Sequence, residues 1–385
     1  MAAMSLQGFL ITWLMVGVLH TPADRVGFAR ALIELPGLAI LLIGGVVADR
    51  TDGRRLLIAM HLAIAIPSLA IAAIVHSGML SFWTVVAFGI AVSGIQAVSD
   101  PARQSILSRV TRTDIQRTVT LMTIITSLAG LVGVWLGGQL DRVGLFVVLL
   151  LQASCFAIGA DAARRMPPMP PAAIRGRPDL LAGVKAAWAV PLIRNIVGLN
   201  FLSSLVNAGA YIVAIPFIVK EVYSGDAQFF ASVMMVFTAG SIGSNVILLR
   251  YMPLLHPGRL FLLMQLTRVI ILGVLWTRPA LWLFYAVMFA WGLNMGVTTT
   301  LVRTTVQELA EGVHRAQILS VLLVSFMISA PLSSMLLGNL IAGFDPLTAL
   351  IPGIVVSLVI FTIGVASSRL WQYEAPASPV AARST

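Results

Sequence analysis

Long apolar runs separated by short polar breaks organise this chain from end to end. Twelve runs stand out, at roughly 4–20, 26–48, 56–76, 79–99, 118–140, 144–162, 195–219, 228–250, 260–277, 280–300, 317–342 and 347–368. Each approaches the ~20 apolar residues that an α-helix needs to cross a bilayer core. Several are rich in Gly and Ala, the small residues that let membrane helices pack closely where lipid offers no hydrophobic drive for association. No run alternates apolar and polar positions as a membrane β-strand does, so the pattern predicts helices rather than a barrel. The first span is short, has no basic residue before it, and lacks the charged start and cleavage site of a signal peptide.

The longest polar break, ADAARRMPPMPPAAIRGRPDLLAGVKAAWAVPLIRN, separates spans six and seven. Its Met-Pro-Pro-Met-Pro-Pro core favours extended geometry and blocks helix, and Asp179 is placed to cap a short amphipathic helix from Leu180 to Val190. The pattern therefore divides the chain into a six-helix bundle (1–162), a cytoplasmic linker (163–194), a second six-helix bundle (195–370) and a tail (371–385). The halves echo each other. Arg103 and Arg303 hold the same place at the ends of spans four and ten. Arg117 and Arg315 open the spans that follow, with Leu121 matching Leu319 and Ser127 matching Ser325. Paired six-helix halves around a midplane site are a transporter architecture. The expected fold is thus an all-α membrane protein of twelve transmembrane helices in two pseudo-symmetric bundles.

Composition sharpens this picture. The chain is 58% hydrophobic and only 10% charged, less than half the about 25% charge of an average soluble domain. Its net charge of +10 raises the question of nucleic acid, which the placement of the charge answers. With the loop after span two in the cytoplasm, 19 Lys and Arg fall on that side, four on the other, and two, Arg30 and Arg268, within spans. By the positive-inside rule both termini are cytoplasmic. The basic charge is topological, and nucleic acid is excluded as a partner.

Ionisable groups inside spans are functional candidates by default. Glu34 lies eight residues into span two, and Arg30 sits four residues earlier on the same face. Burial favours the protonated acid and Arg30 the ionised one. The two have two readings: a proton-coupling carboxylate with its tuning cation, or a static ion pair. Pro36 follows, where a kink is expected. Arg268, near the middle of span nine, either faces a cavity and meets an anionic substrate or pairs within the bundle. Gln265, Asn200, Asn207, Tyr211, Trp291 and Asn294 complete a candidate polar and aromatic substrate cavity, each with interhelical packing as its alternative. No phosphate-binding loop or catalytic triad is seen, and the five histidines lack metal-ligand spacing. No enzyme activity, cofactor or metal is expected.

One stretch concentrates charge unusually. In GGVVADRTDGRRLL, from Gly44 to Leu57, five charges lie within seven residues: Asp49, Arg50, Asp52, Arg54 and Arg55. With Gly45 before it, this loop resembles the signature G-x-x-x-D-R-x-G-R-R between helices two and three of the major facilitator superfamily. It is most similar to the D-R-x-D-x-R-R variant of the branch that contains enterobactin exporters and macrolide efflux pumps. DPARQSIL after span four and LLAGVKAAWAVPLIRN before span seven resemble the same branch. The resemblance implies that Asp49 holds the cytoplasmic start of helix eleven near Arg315, that Arg50 meets Asp100, and that Arg103 joins them. The cluster would form a latch that is made and broken during alternating access, with Gly45 allowing close helix approach and Gly53 a tight turn. Arg54 and Arg55 also serve as positive-inside anchors. Span five carries part of the antiporter pattern G-x-x-x-G-P-x-x-G-G at Gly133, Gly137 and Gly138, with Val134 in place of the proline and Ala129 in place of the first glycine.

The resemblance implies a monomeric, proton-coupled exporter of an amphipathic small molecule such as a siderophore or drug, in a bacterial inner membrane. Two alternatives stay open: an importer of the same fold, and a non-transporting membrane sensor or assembly protein.

Overall fold

A computed structural model describes residues 1–110, 115–167, 180–251, 254–310 and 315–374, with side chains described outside 41–50, 100–124, 180–183 and 315–316. The described residues are helical throughout, with no strand. The first six spans are α1 (Ala2–Trp13, extended by a π-helical stretch Leu14–Val18), α2 (Ala23–Arg50), α3 (Gly53–His76), α4 (Phe82–Val110), α5 (Ile115–Gly138) and α6 (Leu145–Arg164). The linker helix is α7 (Leu180–Ala189). The last six are α8 (Pro191–Gly209, continued to Val222), α9 (Ala227–Tyr251), α10 (Pro257–Trp276), α11 (Leu281–Leu309), α12 (Arg315–Gly343) and α13 (Ile351–Ser367). Among the described residues, nine of these helices are long and apolar enough to span a bilayer. Two shorter apolar helices, Ala2–Val18 and Ile125–Gly138, and α2 bring the described spans to twelve.

Two helices run well past their apolar stretches. The hydrophobic pattern ends spans four and ten near residues 99 and 300, but α4 continues to Val110 and α11 to Leu309. Helical hydrogen bonding does not require apolar residues, so a helix propagates beyond the membrane-spanning stretch until a breaker stops it. Ala310 stops α11, taking an extended conformation at its C-cap. Pro36 does not interrupt α2.

The chain forms two compact units: Met1–Arg177 with Val219–Met235, and Pro178–Ile218 with Val236–Thr385. In unit 1, α2 packs on α4 with Ile33 lying against Gly89, where a Cβ would sit 2.5 Å from the Ile33 Cδ1. Phe9, Trp13 and Phe230 stack with ring centroids 5.1–6.4 Å apart, and the Lys220 ammonium lies 5.8 Å from the Trp13 ring centroid. Asp141 accepts the otherwise orphaned Ala227 N–H at the start of α9, at 3.0 Å.

In unit 2 the core joins Ile193, Ile196, Phe261, Leu262, Leu301, Val302, Val306, Ile318 and Leu322, all buried. The segment after α13 folds back onto this core. Leu370 is fully buried, its carbonyl abuts Gly258, Asn195 donates to the Ser368 carbonyl at 3.0 Å, and the Arg259 guanidinium sits 5.1 Å over the Trp371 ring. The continuation of α8 contains two π-helical stretches, Ala210–Ala214 and Ile218–Val222, flanking a short α segment.

Candidate functional site

The charged loop between α2 and α3 is built around a helix cap. Thr51 and Asp52 carry the chain out of the α2 helix, with Thr51 extended and Asp52 at φ −60, ψ 120. The Asp52 carboxylate accepts the Arg55 N–H at 2.9 Å, satisfying an orphan donor of the first turn of α3. The expectation that Gly53 makes the tight turn is corrected. Gly53 is the first residue of α3 and buried, and the turn falls on Thr51 and Asp52. Arg54 donates to the Arg164 carbonyl at the end of α6, a cation at a helix C-terminus where the partial charge is negative. Arg55 is exposed. The other latch candidates, Gly45, Asp49, Arg50, Asp100, Arg103 and Arg315, lie outside the described side chains.

Within α2, Arg30 and Glu34 pair at 2.9 Å, one helical turn apart and both partly buried. The Arg30 Nε is buried without a hydrogen-bond partner among the described residues.

The glycines of α5 face close neighbours in unit 1. A Cβ at Gly133 would lie 2.0 Å from the Ala2 carbonyl oxygen. At Gly137 it would lie 2.4 Å from the Phe9 ring, and at Gly138 2.6 Å from the Ala231 Cβ. All three positions are therefore fixed by close packing.

The polar residues expected in the second half gather in the interior of unit 2. Arg268, on α10, is 2% exposed. Its Nη2 and Nε donate to the Asn294 Oδ1 of α11 at 2.9 and 3.2 Å, and its Nη1 donates to the Ser203 Oγ of α8 and, at 3.4 Å, to the Gln265 Oε1. Asn294 is held in turn, its Nδ2 donating to the Met264 carbonyl and the Thr267 Oγ1, both at 2.7 Å. Such a network is needed, since an Arg at the centre of a membrane helix costs on the order of 3 kcal/mol. Asn200, Ser203 and Asn207 lie on one face of α8, three and four residues apart. Asn207 donates to the Ser203 carbonyl at 2.8 Å. Beyond Asn207, Tyr211 stacks on Phe237 with centroids 4.3 Å apart, and Trp291, 1% exposed, meets both edge-on at 6.0–6.3 Å.

Arg268, Gln265, Asn200, Asn207, Tyr211, Trp291 and Asn294 thus share one region of unit 2. Ser203, Thr267 and Phe237 join them without having been singled out in the sequence. Ser203 was legible from its position on the Asn200–Asn207 face, whereas Thr267 and Phe237 carried no signal beyond lying in apolar spans. Among the described residues no His, Cys, Asp or Glu cluster is placed to hold a metal ion.

The family model for the Major Facilitator Superfamily matches residues 1–334. The chain belongs to the major facilitator superfamily. It is accordingly a multi-pass membrane protein of a transporter family. A search of curated proteins returns no match. Among solved structures, the chain is similar to the nucleoside transporter NupG (TM-score 0.76, 14% identity, 97% of this chain and 98% of that one). It is also similar to a bacterial homolog of the human lysosomal transporter Spinster in an inward-facing, unoccupied conformation (TM-score 0.73, 13% identity, 98% and 96%). A POT family transporter in complex with 5-aminolevulinic acid shares the fold as well (TM-score 0.72, 13% identity, 94% and 93%). At such identities the likeness is one of fold, and it places this major facilitator chain beside transporters of several chemistries.

Proposed function

We propose that this chain exports an amphipathic small molecule, such as a siderophore or drug, in exchange for protons by alternating access. It does so as a monomer in a bacterial inner membrane with both termini cytoplasmic. The observation that carries the proposal is the Arg30–Glu34 pair. A carboxylate held 2.9 Å from a cation within a membrane helix has a charge state that a proton changes, and with it the strength of the pair. Protonation of Glu34 releases Arg30; deprotonation restores the pair. One proton crossing a 100 mV potential supplies about 2.3 kcal/mol, enough to bias two states that lie within a few kcal/mol of each other.

Asp49, Arg50, Asp100, Arg103 and Arg315 form the cytoplasmic latch in this reading, with Arg54 tying α3 to the end of α6. Export rests on the likeness of the charged loop, of the stretch after span four and of the approach to span seven to the enterobactin-exporter and macrolide-efflux branch.

The test uses purified protein in liposomes under an imposed pH gradient, with lumenal pH followed as siderophores and macrolides are added. Substrate-dependent proton flux is expected for the wild type and its loss for Glu34→Gln. Flux that survives Glu34→Gln in folded protein removes the role assigned to Glu34, and no flux with any compound removes the exchange mechanism.

A further inference from the structure

Arg268 is buried among acceptors that are all neutral: the Asn294 amide oxygen, the Ser203 hydroxyl and the Gln265 amide oxygen. No carboxylate among the described residues lies within ion-pair distance of it. A guanidinium out of water without a counter-charge is a standing attraction for an anion. Two further donors, one on a member of this network and one on the Ser203 face of α8, have no partner among the described residues. These are the Gln265 Nε2, on a side chain 0% exposed, and the Asn200 Nδ2, on a side chain 3% exposed. Gln265 lies three residues before Arg268 on α10, and Asn200 three residues before Ser203 on α8, so both amides lie one turn from the guanidinium's own contacts. Two of the atoms left without a partner are thus donors beside the positive charge, and one acceptor, the Asn207 Oδ1, lies a turn further along α8.

The other side of the network is aromatic. Trp291 precedes Asn294 by three residues on α11, and Tyr211 follows Asn207 by four on α8. Their rings close on Phe237 from two sides.

We propose that unit 2 contains a binding site for an aromatic organic anion. Arg268, Gln265 and Asn200 hold its acidic group, and Tyr211, Phe237 and Trp291 hold its ring. This rests on the reading of the chain as a transporter of amphipathic small molecules and names the class of molecule. Guanidinium recognition of a carboxylate is strong because charge-assisted hydrogen bonds gain in a low-dielectric interior. The aromatic faces add stacking that favours a planar ligand.

The probe is benzoate, compared with its neutral amide benzamide, with acetate and with chloride. All are titrated at constant ionic strength onto the full-length protein in detergent, with affinity read by calorimetry and by the shift in melting midpoint. Saturable binding of benzoate is expected, at least tenfold tighter than benzamide or acetate. Gln265→Glu places a carboxylate beside Arg268, so benzoate affinity should fall at least tenfold while the fold is retained. Arg268→Gln should lose binding as well, and Gln265→Glu keeps the test decisive if that variant does not fold. Displacement of benzoate by chloride supports the acidic subsite and identifies a free ion as its resting occupant.

Equal binding of benzoate and benzamide, no saturable binding, or full affinity in Gln265→Glu overturns the proposal. Acetate binding as tightly as benzoate overturns the aromatic subsite. The measurement needs no gradient and no flux. Benzoate binding by a wild-type protein that shows no proton flux with any compound sinks the exchange mechanism and leaves this site standing. Flux of siderophores or macrolides with no anion binding does the reverse.

Discussion

Gly292 on α11 offers a sharp test of how closely the helices of unit 2 are held. A Cβ there would stand 2.0 Å from the Phe237 carbonyl oxygen and 3.1 Å from the Ser241 nitrogen, both backbone atoms of α9. Ordinary contact begins at 3.4 Å, so Gly292→Ala demands a displacement of about 1.4 Å. No side-chain rotation can supply it, because the obstacle is main chain. Gly240 and Gly296 flank the same contact, with added Cβ atoms 2.2 Å from the Phe289 carbonyl oxygen and 1.9 Å from the Ser244 hydroxyl, so the seam cannot tilt to escape. Overpacking of this kind costs about 1–3 kcal/mol. Helix propensity works the other way and returns about 1 kcal/mol for Gly→Ala. Gly273→Ala on α10 isolates the clash, since a Cβ there meets nothing within 4 Å and carries the propensity gain alone. The paired difference is therefore the clash itself. At about 2–4 °C for each kcal/mol in domains of about 150–250 residues, Gly292→Ala should melt at least about 2 °C below Gly273→Ala in detergent. The separation it forces also pulls Phe237 from Trp291, so benzoate affinity should fall with stability. Equal melting of the two variants would refute the close approach of α9 and α11.

Gln152, on α6, is fully buried and neither its Nε2 nor its Oε1 finds a partner among the described residues. Removing an unsatisfied buried amide recovers about 1–3 kcal/mol, so Gln152→Met should raise the melting midpoint; a fall would show that the amide is satisfied. Asp345 caps the turn after α12, accepting the Leu347 and Thr348 N–H groups at 2.9 and 3.0 Å. The Thr348 hydroxyl and these backbone donors hold its carboxyl below the ordinary value of 3.8 against a small opposing effect of burial. A carboxyl depressed on folding contributes stability that is complete above its unfolded value and lost as pH falls through the folded one. Wild type should therefore melt above Asp345→Asn by a constant margin at neutral pH, and the margin should close as pH drops below about 3.8. A margin independent of pH would show that the cap does not depend on the charge.

The twelve spans were legible because each rests on one local property, a run of apolar residues long enough to cross a bilayer. Their ends were less so. Hydropathy reports where lipid stops, whereas α4 runs on to Val110 and α11 continues until Ala310 leaves helical geometry. In the charged loop the helix cap at Asp52 is a local feature of chain order, but the bond from Arg54 to the Arg164 carbonyl joins residues 110 positions apart and has no sequence signature. The same limit applies in unit 2. The spacing of Asn200 and Asn207 marks a polar face, but that Asn294 and Ser203 would be the groups to clasp Arg268 depends on how α8, α10 and α11 meet. The glycines of α5 were visible as a motif; that Gly133 yields space to the backbone of α1 was not.

The π-helical stretches of α8 have a consequence for phase. Each holds one residue more than an α-turn would, and a residue is worth on the order of 100° of rotation about the axis. The face that carries Asn200, Ser203 and Asn207 is therefore not the face that a helical wheel would assign to residues 215–222. The extra residue of the first stretch is absorbed in its wide turn, so Ile215 to Ile218 keep the azimuth they would have without it. A deletion of one residue within 210–214 would restore an ordinary α-turn and leave Ile215 to Ile218 at their present azimuth, whereas a deletion in the α-helical turns before Ala210 would swing them by about 100° relative to the start of the helix. A one-residue change in length is therefore absorbed at the π-helical stretch and not before it, which makes the residue count of the α-helical run from Asn200 to Gly209 the determinant of how its polar face is aimed.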